Sequence, residues 1–112
     1  MMLKSSITTE DQMMTTNQMR PVHPGEVLRE EFLEPLEMSA SALATALRIP
    51  APRINDIVLE RRAVTPDTAL RLARYFGGSA QFWLNLQTQY DLRCTEIEKQ
   101  AEIEREIIPR AS

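Results

Sequence analysis

The sequence predicts an all-α fold of five helices with room for a sixth, and three observations carry that expectation. Apolar residues recur at helical spacing from Val27 to Tyr90. Helix start and stop signals punctuate the chain at Pro24, Ser39, Thr65, Gly77-Gly78 and Ser79. No segment alternates as a half-buried strand does, and no hairpin signal or internal repeat is found.

Residues 1 to 20 mix Ser, Thr, Gln, Met and Asn without period, and read as a flexible arm. His23-Pro24-Gly25 opens the first helix, with proline where a missing N–H costs nothing. Val27, Leu28, Phe32 and Leu36 follow at helical spacing, and Pro35 is expected to end that helix. Ser39 caps a second helix whose inner face holds Leu43, Ala44 and Leu47. After a break at Arg48-Ile49-Pro50, a third helix starts near Ala51-Pro52 and turns Ile54, Ile57 and Val58 inward. Arg61 to Val64 reads as a basic loop. Thr65-Pro66-Asp67 then starts a fourth helix with Ala69, Leu70, Leu72, Ala73 and Phe76 toward the core. Gly77-Gly78 stops it. Ser79 caps a fifth helix carrying Phe82, Trp83, Leu86 and Tyr90. Glu96 to Ile108 has a partial apolar stripe, enough for a terminal helix closed by Pro109. The expected organisation is an arm at 1–20, a domain at 21–92 and a helical tail at 93–112.

A helix-turn-helix demands a particular register over about twenty residues. Its first helix needs a small residue at the crossing, and with Ala40 as the first position Ala44 stands there. Leu43, Leu47 and Ile49 supply the apolar flanks, and Ile54 with Ile57 supply the inner face of the second helix. All six positions fit. The turn position after Leu47 usually takes glycine because it adopts positive φ; here it is Arg48, at a cost of about 1 kcal/mol.

The formal charge of −3 looks unsuited to nucleic acid until its distribution is drawn. Residues 1–38 hold three cations against seven carboxylates, residues 39–76 six against three, and residues 77–112 four against six. The basic middle is all arginine, the side chain suited to phosphate and guanine. Its acidic flanks would repel DNA and attract a basic protein.

In this register Ala51, Pro52, Arg53, Asn55 and Asp56 are candidates to read bases. Asn55 can bond adenine in bidentate fashion and Arg53 guanine; Ala51 and Pro52 can touch a thymine methyl. Asp56 could accept from cytosine, orient Arg53 or cap. Candidates for phosphate contacts are Ser39, Ser41, Thr45, Arg48, Arg61 and Arg62. A single module offers little contact area, so a homodimer on a palindrome is expected. The late apolar residues Phe82, Trp83, Tyr90, Ile97 and Ile107 are the candidates for its interface, although Trp83 also suits the core.

The stretches "RPVHPGEVLREEFLEPL", "PAPRINDIVLERRAVTPDTALRLARYFG" and "FWLNLQTQYDL" together resemble the HigA/VapI branch of the XRE-type antitoxins, over roughly Arg20 to Leu92. Members often carry glycine where Glu60 stands. The resemblance implies a lambda-repressor-like helix-turn-helix domain with a C-terminal helical extension. It also implies a homodimer that represses its own operon on double-stranded operator DNA and neutralises a HigB-like toxin, a ribosome-dependent mRNA endonuclease. A free-standing repressor of the same fold, without a toxin, is the neighbouring reading.

Other classes find little support. His23 is the only histidine, and its place before Pro24 suits a helix start. No phosphate-binding glycine loop or metal-ligand spacing exists, so neither enzyme activity nor a cofactor is expected. Glu30, Glu31 and Glu34 read as a solvated helix face. Cys94 is the only cysteine, which excludes an internal disulfide and fits a reducing cytoplasm. No apolar run approaches the roughly 20 residues of a membrane span.

Overall fold

The structure, a computed structural model, describes residues 20–111, and every regular element among them is helical. The expected arm falls, but for Arg20, outside the described residues. Among the described residues no helix is long and apolar enough to cross a membrane.

Helix α1 is continuous from Pro24 to Leu36 but changes pitch within that length. It runs as α-helix over Pro24–Val27, as π-helix over Leu28–Leu33 and again as α-helix over Glu34–Leu36. Pro35 therefore does not end the helix, contrary to the sequence expectation. A proline in a regular helix loses one bond and collides with the carbonyl four residues back, here that of Glu31. The wider turn answers this: Glu34 donates its N–H to Arg29, five residues back. The helix stops two residues later, where Glu37 adopts φ 52°.

Helices α2 (Ala40–Leu47) and α3 (Ala51–Val58) form the helical pair, and α4 (Pro66–Phe76) packs beside them. The caps fall where the sequence places them. Ser39 accepts from the N–H of Ala42, Thr65 from that of Thr68, and Ser79 from that of Phe82. The fifth and sixth expected helices are one element, α5 (Ala80–Glu106), of 27 residues. Nothing between Tyr90 and Glu96 breaks a helix, so the two patterns join.

The chain divides near Leu92. In the unit Val22–Asp91 the core gathers Leu28, Leu43, Ala44, Leu47, Ile54, Ile57, Leu72 and Trp83, all nearly or wholly buried. Phe32 packs on this core with its ring 4.8 Å from that of Phe76 and 5.2 Å from that of Trp83. Trp83 is 1% exposed, which removes it from the candidate dimer surface. Leu70, expected inside, is 64% exposed. On so short a helix Thr68, four residues before Leu72, takes the inward position, and Leu70 instead lines an open groove with Ala46 and Tyr75.

In the other unit, α5 beyond Leu92 carries the Arg93–Glu96 ion pair and a Gln100-to-Glu104 hydrogen bond. It leaves Ile97 and Ile103 exposed, with Ile107 and Ile108 just past its end, and holds Cys94 half-buried.

Candidate nucleic-acid interface

The surface is built from the α2–turn–α3 unit, and its scaffold keeps the predicted register. Leu43, Ala44, Leu47, Ile49, Ile54 and Ile57 are all buried. Ala44 allows the close crossing, and its carbonyl accepts the N–H of Ile49 at 3.0 Å across the turn. Arg48 stands at φ 62°, ψ 43°, the left-handed conformation the motif requires of this position. Its N–H bonds the carbonyl of Thr45 at 3.2 Å, so the turn closes as it would with glycine.

With the inner face fixed, α3 presents an outer face. Ala51, Pro52, Asn55 and Leu59 are exposed along it, while Arg53 and Asp56 are half-buried at its edges. Asn55 has its amide in the open, on the middle turn of an eight-residue helix. Arg53 does not meet Asp56; its Nη1 lies 3.7 Å from Asp67 of α4. Asp56 faces Arg61 and Arg62 instead, at 3.2 and 3.6 Å. Of the three roles the sequence leaves open to Asp56, orienting Arg53 is therefore not one it fills. A turn of the same kind as at Arg48 causes it. Glu60 takes φ 64°, Arg61 donates its N–H to the carbonyl of Asp56 at 2.7 Å, and the arginine pair folds back over the helix end.

The phosphate candidates differ in what they have left to give. Ser41, Arg48, Arg61 and Arg62 are exposed. The Ser39 hydroxyl oxygen caps α2 but its proton remains available. Thr45 directs its hydroxyl proton to the carbonyl of Ser41 at 3.1 Å, so a phosphate would have to compete for it. Of the dimer candidates, Phe82 is partly exposed and Ile97 and Ile107 largely so, whereas Tyr90 is half-buried with its ring edge-on to His23 at 4.8 Å.

Two arginines counted in the charge map are positioning residues. Arg71 donates to the carbonyl of Leu47 at 2.8 Å while its Nε holds Asp67 at 3.0 Å, fixing the end of α2. Arg29 donates to the carbonyl of Val58 at 2.6 Å and pairs with Glu60 at 3.2 Å, fixing the end of α3. Each satisfies orphan carbonyls from 24 and 29 residues away, which no local pattern announces. Gln87 is a third. Buried on α5, it accepts the Val64 N–H at 2.8 Å and donates to Asp91 at 3.0 Å, anchoring the loop that leaves α3. At the other end His23 caps α1 by accepting the Gly25 N–H at 2.8 Å. Burial pushes its imidazole below the ordinary pKa, against the opposing pull of Glu60 and Asp91.

Comparison with known proteins agrees with this geometry. A helix-turn-helix family model matches residues 30–83. Virulence-associated protein I of Dichelobacter nodosus is 60% identical over 76% of this chain and 79% of its own length. The antitoxin HigA of Pseudomonas aeruginosa, solved with the higBA promoter, is 51% identical with a TM-score of 0.81, over 82% of this chain and 100% of that one. The chain belongs to the HigA/VapI-like helix-turn-helix antitoxin family. A further HigA-family antidote protein, from Coxiella burnetii, is 47% identical with a TM-score of 0.79, covering 82% of this chain and 100% of that one. The HigA/VapI-like family is one of DNA-binding regulators and antitoxins rather than enzymes. Within it, the departure at Glu60 now has a physical account. The position is left-handed, as a glycine there would be, and the Glu60 carboxylate is paired to Arg29.

Proposed function

We propose that this protein is the antitoxin of a toxin–antitoxin pair: as a homodimer it binds its own operator and represses it, and it neutralises a HigB-like mRNA endonuclease. The observation that carries this reading is the exposed outer face of α3 between two arginine clusters, on a scaffold whose inner face is wholly buried. The likeness to a HigA solved with its promoter supports it.

Docked in a major groove, Asn55 pairs with an adenine edge and Arg53 with a guanine edge. Ala51 and Pro52 meet a thymine methyl. Arg48, Arg61, Arg62, Ser39 and Ser41 hold phosphates and set the register without specifying sequence. The exposed isoleucines of the tail at 93–112 supply the surface for a second copy. The acidic flanks are kept for a basic ribonuclease, which must itself carry positive charge to hold RNA. DNA and toxin thus use different surfaces, in the cytoplasm.

Two measurements test this. Asn55→Ala should weaken operator binding by about 1–3 kcal/mol and relax preference at one base pair. Unchanged specific binding would show that the register is wrong. Co-expression with a small basic protein encoded beside this chain should restore growth that the basic protein alone arrests. With no such neighbour and no rescue, the chain is a free-standing repressor.

A further inference from the structure

We infer that Asp56 sets the ratio of specific to non-specific DNA binding by holding Arg61 and Arg62 in one pose, rather than by reading a base. The inference rests on the DNA-binding role proposed above. Both carboxylate oxygens are engaged, Oδ1 by Arg61 Nη2 at 3.2 Å and Oδ2 by Arg62 Nη2 at 3.6 Å. A cytosine amino group approaching either oxygen would compete with a guanidinium already there. The backbone enforces the same pose, because the left-handed Glu60 and the 2.7 Å bond from Arg61 N–H to the Asp56 carbonyl bring the arginines back over the helix end.

One carboxylate facing two guanidiniums leaves a net charge of about +1 with a defined direction. Non-specific DNA asks only for charge, which freely moving arginines supply to any phosphate within reach. An operator complex asks for phosphates at fixed places relative to the base edges, and positioned arginines meet that demand. Asp56 therefore lowers binding to every sequence through its charge and restores the operator share through its geometry. The second such cluster shows the contrast. Asp67 also faces two arginines, but Arg71 there is tied to the Leu47 carbonyl and only Arg53 remains for DNA.

The test uses the full chain, a random-sequence duplex pool and the duplex that the wild-type protein selects from that pool, each titrated over a range of salt. Asp56→Asn should raise affinity for the random pool roughly three- to tenfold at low salt and steepen its salt slope by about one. Affinity for the selected duplex should rise less, so the ratio of the two falls. Asp56→Glu, which keeps the charge but moves it outward by one methylene, should return the random-pool affinity toward wild type while the ratio stays low. Equal factors on both duplexes with Asp56→Asn would overturn the inference. So would a changed preference at a single base pair, which would make Asp56 a base reader, or a wild-type ratio in Asp56→Glu. Should the wild-type protein select no duplex, the proposed function fails instead. Thermal unfolding of both variants should match wild type, since exposed ion pairs contribute little to stability.

Discussion

Between Ala80 and Asp91, helix α5 turns one face to the interior and leaves Phe82 outside: Trp83 is buried, Leu84 and Leu86 pack on the core, and Gln87 holds a loop. Beyond Leu92 the same helix has no buried residue and exposes Ile97 and Ile103. The difference lies in what stabilises each stretch. The body Val22–Asp91 is held by burial and by long-range bonds to backbone carbonyls. Among the described residues, the tail carries local i,i+3 and i,i+4 pairs such as Arg93–Glu96 and Gln100–Glu104, each contributing a few tenths of a kcal/mol. The tail offers exposed isoleucines, the surface proposed above for a second copy, whereas the body has its core already.

That contrast can be broken at several points. The largest effect is expected at Gly25, where an added Cβ would overlap the carbonyl of Ile57 in α3. Gly25→Ala should push α1 away from α3 and cost about 3 kcal/mol in urea unfolding, with DNA binding lost alongside. A shift below about 1 kcal/mol would mean that the two helices can separate freely. Next comes Gln87→Leu, which leaves the buried Val64 N–H without its acceptor. A loss of about 2 kcal/mol at an unchanged denaturant slope is expected.

The body should also respond to acid through His23. Its folded pKa lies below the ordinary 6.5, so the unfolded chain takes up the proton more readily. Stability is then full above about pH 6.5 and falls as pH drops from there toward the folded pKa. Urea midpoints across that window should show the slope in wild type, and His23→Gln should remove it. Arg48→Gly should act in the opposite sense, relieving the left-handed residue and raising stability by up to about 1 kcal/mol. Smallest of all for the body is Ile97→Asp. Unfolding free energy should move by less than about 0.5 kcal/mol while the proposed homodimer, followed by sedimentation, dissociates. A large fall in stability would show that the tail belongs to the body's core.

Much of the body was legible in the sequence because its signals are local. Ser39, Thr65 and Ser79 cap the helices they precede, and the spacing from Leu43 to Ile57 fixes which faces turn inward. The motif alone calls for positive φ at Arg48, and the residue has it. What escaped depends on partners distant in sequence. Neither Arg29 nor Arg71 carries any mark that its guanidinium ends on a backbone carbonyl, and Gln87 looks like any polar residue on a helix. Val64, read as part of a basic loop, plugs the core. Pro35 by its usual effect signals a helix end, whereas a π-turn upstream absorbs it. Leu70 shows the limit of periodicity on a short helix, since one step of 100° separates inside from outside. Charge counting erred in a related way. The basic middle holds six arginines, but Arg71 faces inward to a carbonyl, and Asp56 and Asp67 claim a share of three others.

The central claim is that the outer face of α3 reads DNA, twice, in a symmetric dimer. Methylation-interference footprinting of the full chain on its selected duplex tests that most directly. The account predicts major-groove interference in two half-sites of opposite orientation, centred about one helical turn apart or a multiple of it. It also predicts loss of one base-pair position from each half-site in Asn55→Ala. A single unpaired site, interference confined to the minor groove, or an Asn55→Ala footprint identical to wild type would contradict it.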